Sequence, residues 1–139
     1  MRYWFLKSEP SAYAWADLVR DGRGRWDGVR NHAAAANLRG MSKGDLAIFY
    51  HSNEGKEAVG IMRVVRPFYP DPTAKEGGWV AVDFEPVKAL KRPVTLSEMK
   101  LDPVLKSLKM VRQGRLSVSP MIGMEWRRLL KLASKGASF

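Results

Sequence analysis

The chain has 139 residues, 45% of them hydrophobic, and a formal net charge of +10, with no cysteine and two histidines. Its length predicts one domain over residues 1–139, whereas its apolar runs are too short for the ~20 residues of a membrane helix and its first residues lack a signal-peptide pattern. Disulfides and thiolate chemistry are excluded, a metal site is not expected, and the predicted location is the cytoplasm.

The first third of the chain predicts one strand and two helices. Residues 2–6 are rich in aromatic side chains and favour a short strand, and residues 15–20 suit one or two helical turns. Residues 31–39 predict a helix, because their alanine run has high helix propensity. Asn31 is its natural N-cap, and Gly40 supplies the stop.

The middle of the chain predicts strands. Residues 45–51 and 58–68 favour a hairpin, and Gly60 inside the second strand indicates a bulge or a close approach of another group to the backbone. Residues 79–87 alternate between apolar and polar side chains, which is typical of a half-buried strand. Residues 69–78, with two prolines and two glycines, predict the intervening loop.

The last third predicts short helices around a final strand. Thr95 and Glu98 have the spacing of a capping box, and residues 115–119 favour a strand. From Ile122 to Ala133, apolar residues recur at helical spacing and basic residues fill the other positions. Five or six short strands mixed with short helices indicate an α+β protein with a small curved sheet or barrel.

The basic excess is concentrated toward the carboxyl end. Residues 1–90 hold 13 basic and 11 acidic side chains, whereas residues 91–139 hold 11 basic and 3 acidic side chains. A basic surface attracts polyanions through counterion release, and nucleic acid is the commonest polyanion. Solubility alone is the other interpretation of such a charge.

Enzyme motifs fit the sequence poorly. The glycines between Gly22 and Gly28 have the wrong spacing for a dinucleotide-binding loop. Ser52 and His51 are adjacent on a predicted strand end, where neighbouring side chains point to opposite faces and so form no nucleophile–base pair. Glu9 would suit a general base only if it were buried. A nuclease-like or glycosylase-like enzyme acting on nucleic acid through Glu9 is therefore an alternative hypothesis.

Four unusual strings lie where predicted strands give way to polar residues. They combine aromatic, amide and charged side chains, which is typical of binding loops. The strings are residues 7–10 (KSEP), 26–31 (WDGVRN), 50–53 (YHSN) and 114–118 (GRLSV).

Together with residues 37–39 (NLR), 44–45 (GD), 69–73 (YPDPT) and 125–126 (EW), these strings resemble, in order, the EVE domain of the PUA-like superfamily. The resemblance covers nearly the whole chain. It implies a PUA-like β-barrel of five or six mainly antiparallel strands with flanking helices, and a pocket for a base of RNA or DNA. Related domains prefer modified bases, such as methylated cytosine. The helix after Asn31 departs from the family, because alanines replace polar residues common there.

The implied pocket would stack a base on an aromatic ring and read its edge with polar groups. Trp26 is the candidate platform, with a core tryptophan as the alternative. Asn31 and Asn53 can each offer a donor and an acceptor, although helix capping and turn formation also explain them. Trp15 or Trp79 could complete an aromatic wall. The other candidates for the base pocket are Lys7, Ser8, Glu9, His51, Ser52, Tyr69 and Ser117.

Basic side chains are candidates for phosphate contacts. Arg30 and Arg115 would flank the pocket, and Arg127, Arg128 and Lys131 of the terminal helix would extend the track. The leading hypothesis is a non-enzymatic, cofactor-free, monomeric reader of a modified base in nucleic acid, with no membrane partner. An adaptor that binds an acidic protein through residues 91–139 is a further alternative.

Overall fold

Residues 1–134, which the computed structural model describes, form six strands and five short α-helices. A single 3₁₀ turn, Leu105–Ser107, lies between the third and fourth helices. The strands are β1 (Tyr3–Ser8), β2 (Gly24–Trp26), β3 (Leu46–His51), β4 (Glu57–Pro70), β5 (Val80–Thr95) and β6 (Val118–Met121). The helices are α1 (Trp15–Asp21), α2 (His32–Arg39), α3 (Leu96–Leu101), α4 (Lys109–Arg112) and α5 (Gly123–Ser134).

All six strands join one sheet in the order β2-β5-β4-β3-β1-β6. Among the strands of residues 1–134, only β1 and β3 pair in parallel; the remaining pairs are antiparallel. The α+β class and the mainly antiparallel strands are thus as predicted, but the sheet is not a closed barrel. Within residues 1–134 the three-residue β2 pairs with β5 and the four-residue β6 pairs with β1, so that the two edges do not meet.

Two strand predictions were wrong in their bounds. The strand predicted at residues 79–87 continues to Thr95, because β5 stays paired with β4 through several register shifts that bend both strands. The strand predicted at residues 115–119 begins at Val118, the residue that pairs with Leu6. Trp26, expected in a loop, ends β2 opposite Val82.

Local signals for the helices were confirmed. The Asn31 side-chain oxygen accepts a hydrogen bond from the Ala34 N–H at 2.9 Å, and Gly40 follows α2 directly. Thr95 and Glu98 form the predicted capping box of α3. In residues 1–134 no helix is long and apolar enough to cross a bilayer; α5 has 12 residues.

The core divides between the two faces of the sheet. One cluster includes Leu6 and Phe49 and is covered by α2, whereas the other includes Phe5 and Ile48 and is covered by α3, α4 and α5. Neighbouring strand residues enter different clusters because strand side chains alternate between faces. Side chains at the end of β1 therefore lie on both faces of the sheet.

Gly60 confirms the expectation of a close approach. A Cβ atom at this position would lie 2.5 Å from Cζ3 of Trp15, which is closer than packed carbon atoms allow. The Trp15 ring occupies the space that a side chain at residue 60 would need. Trp15 also packs edge-on against Phe49, with ring centroids 5.6 Å apart.

Candidate functional site

An open cleft of about 760 Å³ lies where the end of β1 meets β2 and the loop that follows β2. Its volume falls within the range of ~300–1,000 Å³ that is typical of small-molecule sites. The lining combines polar, charged and aromatic side chains with the backbone of two glycines. The lining residues are Lys7, Ser8, Glu9, Ala12, Tyr13, Asp21, Arg23, Gly24, Arg25, Trp26, Asp27, Gly28, Val29, Arg30 and Ser117.

Trp26 forms the aromatic part of this lining. Its ring makes T-shaped contacts with Phe49 and Phe84, at centroid distances of 5.4 and 5.8 Å. The side chain is half-buried, and it packs against the core cluster below α2. Trp26 is thus both a core contact and a cleft residue, and the core holds its ring in one position.

The loop after β2 is held by Asp71, a residue that the sequence reasoning did not single out. One Asp71 carboxylate oxygen accepts hydrogen bonds from the Gly28 N–H at 2.8 Å and from Arg30 at 3.0 Å. The other accepts from the N–H and hydroxyl of Thr73, at 2.8 and 2.6 Å. Gly28 has φ +73°, a conformation that favours glycine.

Burial of the Asp71 carboxyl opposes its ionisation, but these hydrogen bonds outweigh that effect and hold its pKa well below the usual range. Asp71 is therefore ionised at neutral pH. A buried carboxylate with four donors fixes the backbone of the Gly28–Arg30 wall. The string YPDPT at residues 69–73 was the available signal for Asp71.

The opposite wall is formed by the end of β1 and the residues before β6. The Lys7 ammonium donates to the Gly114 carbonyl at 2.7 Å, and the Lys7 N–H donates to the Ser117 carbonyl at 2.9 Å. The Ser8 hydroxyl donates to the Tyr13 carbonyl at 2.6 Å, which leaves its oxygen free to accept. Burial lowers the pKa of Lys7.

Charge in the cleft is nearly balanced. Its lining contains four basic side chains and three carboxylates. Arg25 pairs with Asp27 at 2.7 Å, and Arg23 pairs with Asp83 at 2.9 Å. Both arginines, which sequence reasoning missed, also line a neighbouring hollow with Arg66. Two cationic side chains thus join the cleft to the adjacent surface.

Residues 2–132 match the model of the EVE domain family. The chain belongs to the EVE domain family. It is 34% identical to rat thymocyte nuclear protein 1 over 94% of this chain and 73% of that protein. The resemblance to this family, first inferred from the strings, is confirmed.

Solved structures share the fold of this EVE domain. A Rhodopseudomonas palustris protein is 44% identical, with a TM-score of 0.91 over 96% of this chain and 94% of that one. Human THYN1, solved in complex with DNA containing 5-methylcytosine, is 31% identical, with a TM-score of 0.89 over 97% of this chain and 99% of that one. The YTH domain of Zygosaccharomyces rouxii MRB1, solved with N6-methyladenosine RNA, is 16% identical with a TM-score of 0.61 over 95% of this chain and 86% of that one, which shows only a shared fold.

Some predicted base-pocket residues lie outside the cleft of this EVE domain. Asn31 caps α2 and is exposed. His51 Nε2 accepts a hydrogen bond from the Trp15 N–H at 3.0 Å, which makes His51 a hydrogen-bonded residue at the end of β3. Burial lowers the pKa of His51, which keeps Nε2 free to accept. Ser52 and Asn53 belong to the turn after β3, away from the cleft lining.

Tyr69 also lies outside the cleft. Its hydroxyl donates to Asp83, and the Arg66 guanidinium stacks 3.7 Å from its ring centroid. Burial, with that hydrogen bond, raises the pKa of Tyr69 to about 12. Tyr69 therefore lines the neighbouring hollow that Arg23 and Arg25 share with the cleft.

The predicted phosphate contacts divide in the same way. Arg30 lines the cleft. Arg115 is exposed and lies two positions before the lining residue Ser117, but it is not itself part of the lining. Arg127, Arg128 and Lys131 lie on α5, which covers the other core cluster. Arg128 is also paired with Asp102 at 2.7 Å. The structure thus brings together Lys7, Ser8, Glu9, Trp26, Arg30 and Ser117, but not the α5 residues.

Proposed function

We propose that this EVE domain is a non-enzymatic module that binds nucleic acid and takes a modified nucleobase into the cleft. The observation that carries the proposal is the position of Trp26. Its ring is held by Phe49 and Phe84, yet it remains partly exposed and lines the cleft. A fixed indole beside polar side chains is the arrangement that stacks a base while its edge is read.

The human relative suggests which base to test first. Human THYN1 was solved with DNA that contains 5-methylcytosine, and the match to it covers 97% of this chain. We propose 5-methylcytosine in DNA as the ligand and treat a modified base in RNA as an outcome of the test. A duplex would have to unstack the base at a cost of a few kcal/mol, so single strands should bind more tightly.

Polar groups on both walls suit the edge of a cytosine. The exposed Glu9 carboxylate and the free acceptor of Ser8 can accept from its exocyclic amine, as acidic side chains do in base recognition. The apolar Val29 belongs to the same lining and offers a surface for a methyl group. Stacking on Trp26 would contribute about 1–3 kcal/mol of binding free energy.

Arg23 and Arg25 are the proposed phosphate contacts at one side of the cleft. Arg25 is 46% exposed and its partner Asp27 is 32% exposed, so Arg25 can exchange that carboxylate for a phosphate at little cost. Arg23 is 56% exposed, but its partner Asp83 is only 11% exposed, so Arg23 would contact a phosphate while it keeps that ion pair. The neighbouring hollow with Arg66 continues this basic surface. The strand would then run along β2 rather than along α5.

The alternatives receive less support from the geometry. Glu9 is exposed, whereas a general base at this position was expected only if the side chain were buried. An acidic protein partner would compete with Asp102 for Arg128 and with Glu98 for Arg92. One domain, a monomer and a cytoplasmic location stay predictions from the sequence.

The test compares Trp26→Leu with Trp126→Leu, a tryptophan that stacks on Tyr3 in the other cluster. The ligand is a fluorescein-labelled single strand with one 5-methylcytosine. We expect Trp26→Leu to weaken binding by about 5- to 150-fold and Trp126→Leu to leave it unchanged, with folding checked by circular dichroism. Equal affinity of folded Trp26→Leu and wild type would refute the stacking role.

A further inference from the structure

A second hollow, of about 200 Å³, shares Lys7 and no other lining residue with the cleft. We call it the lysine hollow. The lining residues that matter for its chemistry are Lys7, Tyr50, Asn53, Lys56, Lys100 and Gly114. Its volume is below the ~300–1,000 Å³ of typical small-molecule sites, which suits a phosphate-sized group better than a second base.

Several separate segments converge to build this hollow, and α4 is among them. Lys7 of β1 and Tyr50 of β3 are paired partners in neighbouring strands, so both side chains point to the face covered by α3 and α4. Lys56 lies at the end of the turn before β4, and Lys100 lies on α3. The Leu96 N–H donates to the Lys56 carbonyl at 2.9 Å, which ties the helix to the turn.

The Tyr50 hydroxyl is an unused donor in this hollow. Tyr50 is only 2% exposed, and within residues 1–134 its hydroxyl makes no hydrogen bond. Within residues 1–134, every fully enclosed side-chain oxygen or nitrogen has a hydrogen-bond partner. Because the Tyr50 hydroxyl has none, it is not fully enclosed, and it opens into the hollow that Tyr50 lines. Burial raises the pKa of Tyr50 to about 12, so the hydroxyl keeps its proton at neutral pH. The hydroxyl proton therefore faces the hollow and is available to an acceptor there.

Charge distinguishes the hollow from the cleft. Three lysines and no carboxylate line it, whereas the cleft combines four basic with three acidic side chains. Within the described part of the chain, Lys7, Lys56 and Lys100 take part in no ion pair; the Lys7 ammonium bonds only the uncharged Gly114 carbonyl. The lysine hollow therefore has three lysines, a tyrosine hydroxyl and the Asn53 amide around one small space. The nearby Glu57 carboxylate, whose charge also raises the pKa of Tyr50, is not part of its lining.

We propose that the lysine hollow is a phosphate-binding site that takes a backbone phosphate next to the nucleotide in the cleft. This inference rests on the proposed function, since Lys7 lines both spaces and would join base to phosphate. Phosphate oxygens accept hydrogen bonds from the Tyr50 hydroxyl and from the lysine ammonium groups. The strand would pass from Arg23 and Arg25 across Trp26 to the lysine hollow.

The first experiment uses single strands in which one linkage on either side of 5-methylcytosine is a neutral methylphosphonate. For wild type, neutralising one of these linkages should weaken binding about tenfold, the effect of a lost charge-assisted hydrogen bond. Tyr50→Phe should weaken binding of the unmodified strand to a similar extent, and Lys100→Gln about threefold. In these variants, neutralising the same linkage should weaken binding only slightly further, because the contact to that phosphate is already lost.

Matched controls keep the experiment specific. Tyr3→Phe removes the hydroxyl of a tyrosine that stacks on Trp126 outside both spaces, and Lys106→Gln removes an exposed lysine outside the hollow. Both should bind like wild type. Wild-type affinity of Tyr50→Phe and Lys100→Gln, or losses that simply add to the loss from the neutral linkage, would overturn the proposal.

A second measurement separates this inference from the proposed function. Inorganic phosphate is titrated into isotope-labelled protein while the amide signals of Asn53 and Gly114 are followed by NMR. Shifts that vanish in a Tyr50→Phe, Lys100→Gln double variant support the phosphate site even if no oligonucleotide shows a methylation preference. If phosphate caused no shifts and neutral linkages did not change affinity, the phosphate site would be contradicted. A preference for the methylated strand would in that case still support base binding in the cleft.

Discussion

The buried carboxylate of Asp71 accepts a hydrogen bond from the Gly28 N–H at 2.8 Å, although the two residues are 43 positions apart in the chain. Arg30 and Thr73 complete the set of donors. Because Gly28 and Arg30 form one wall of the cleft, Asp71 positions that wall without lining the cleft itself. The shape of the proposed base site therefore depends on a residue behind it.

Asp71→Asn should lower both stability and affinity. The substitution removes the charge from a buried acceptor of Arg30, which should cost about 2 kcal/mol in the free energy of unfolding. It also loosens the Gly28 wall, so we expect weaker binding of a 5-methylcytosine strand. Urea unfolding and fluorescence anisotropy measure the two effects.

Asp102→Asn is the matched control. Asp102 is also a buried carboxylate that accepts from an arginine, Arg128, and from two backbone N–H groups, those of Val104 and Leu105. The Asp102→Asn variant should lose about as much unfolding free energy as Asp71→Asn and should keep its affinity for the 5-methylcytosine strand. If both variants lose affinity equally, Asp71 acts only through general stability.

Arg25→Ala should weaken oligonucleotide binding, whereas Arg63→Ala should not. The two arginines match closely: each is 46% exposed and each pairs with one partly exposed carboxylate, but only Arg25 lines the cleft. Loss of one phosphate contact should reduce the slope of log affinity against log salt by about one. Identical salt slopes for the two variants would remove Arg25 from the phosphate path.

Gly60→Ala should destabilise the protein by about 1–3 kcal/mol, because the new methyl group would overlap the Trp15 ring. Trp15→Ala should also destabilise it, by leaving a cavity. The double variant should be more stable than the sum of the two losses predicts, since the alanine methyl then has room. Strictly additive free energies from thermal unfolding would argue against this contact.

Acid should weaken the contact between Arg92 and Glu98. The hydrogen bond from Arg92 lowers the pKa of Glu98 from the ordinary 4.5 to about 2. A pKa lowered by folding stabilises the protein above pH 4.5 and loses that effect as pH falls toward 2. The difference in unfolding free energy between wild type and Glu98→Gln should therefore shrink over this range. A difference that stays constant in urea titrations at each pH would contradict the assignment.

Much of the fold could be predicted because its signals are local. Asn31 and Thr95 begin helices through hydrogen bonds to residues three positions ahead, and such spacing is visible in a sequence. The open sheet could not be predicted, because it depends on which distant strands β2 and β6 pair with. The register shifts between β4 and β5 that extend β5 to Thr95 are likewise tertiary.

The site could be predicted where its residues are consecutive in the chain. The cleft is lined by three consecutive residues, Lys7, Ser8 and Glu9, together with Trp26. The hydrogen bonds that hold Tyr69 and His51 outside the cleft could not be predicted, because their partners, Asp83 and the Trp15 N–H, come from other segments of the chain. Arg23 and Arg25 were overlooked because the segment from Gly22 to Gly28 was considered only for its glycine spacing, whereas Arg25 belongs to β2.

The most direct test of the central claim is the dissociation constant of the wild-type protein for two single strands that differ only in one 5-methyl group on cytosine, measured at two salt concentrations. A base held in the cleft predicts tighter binding of the methylated strand, with a ratio of dissociation constants that persists when salt weakens both. Equal binding of the two strands that falls steeply with salt would mean that the +10 charge alone attracts them, and would contradict the claim.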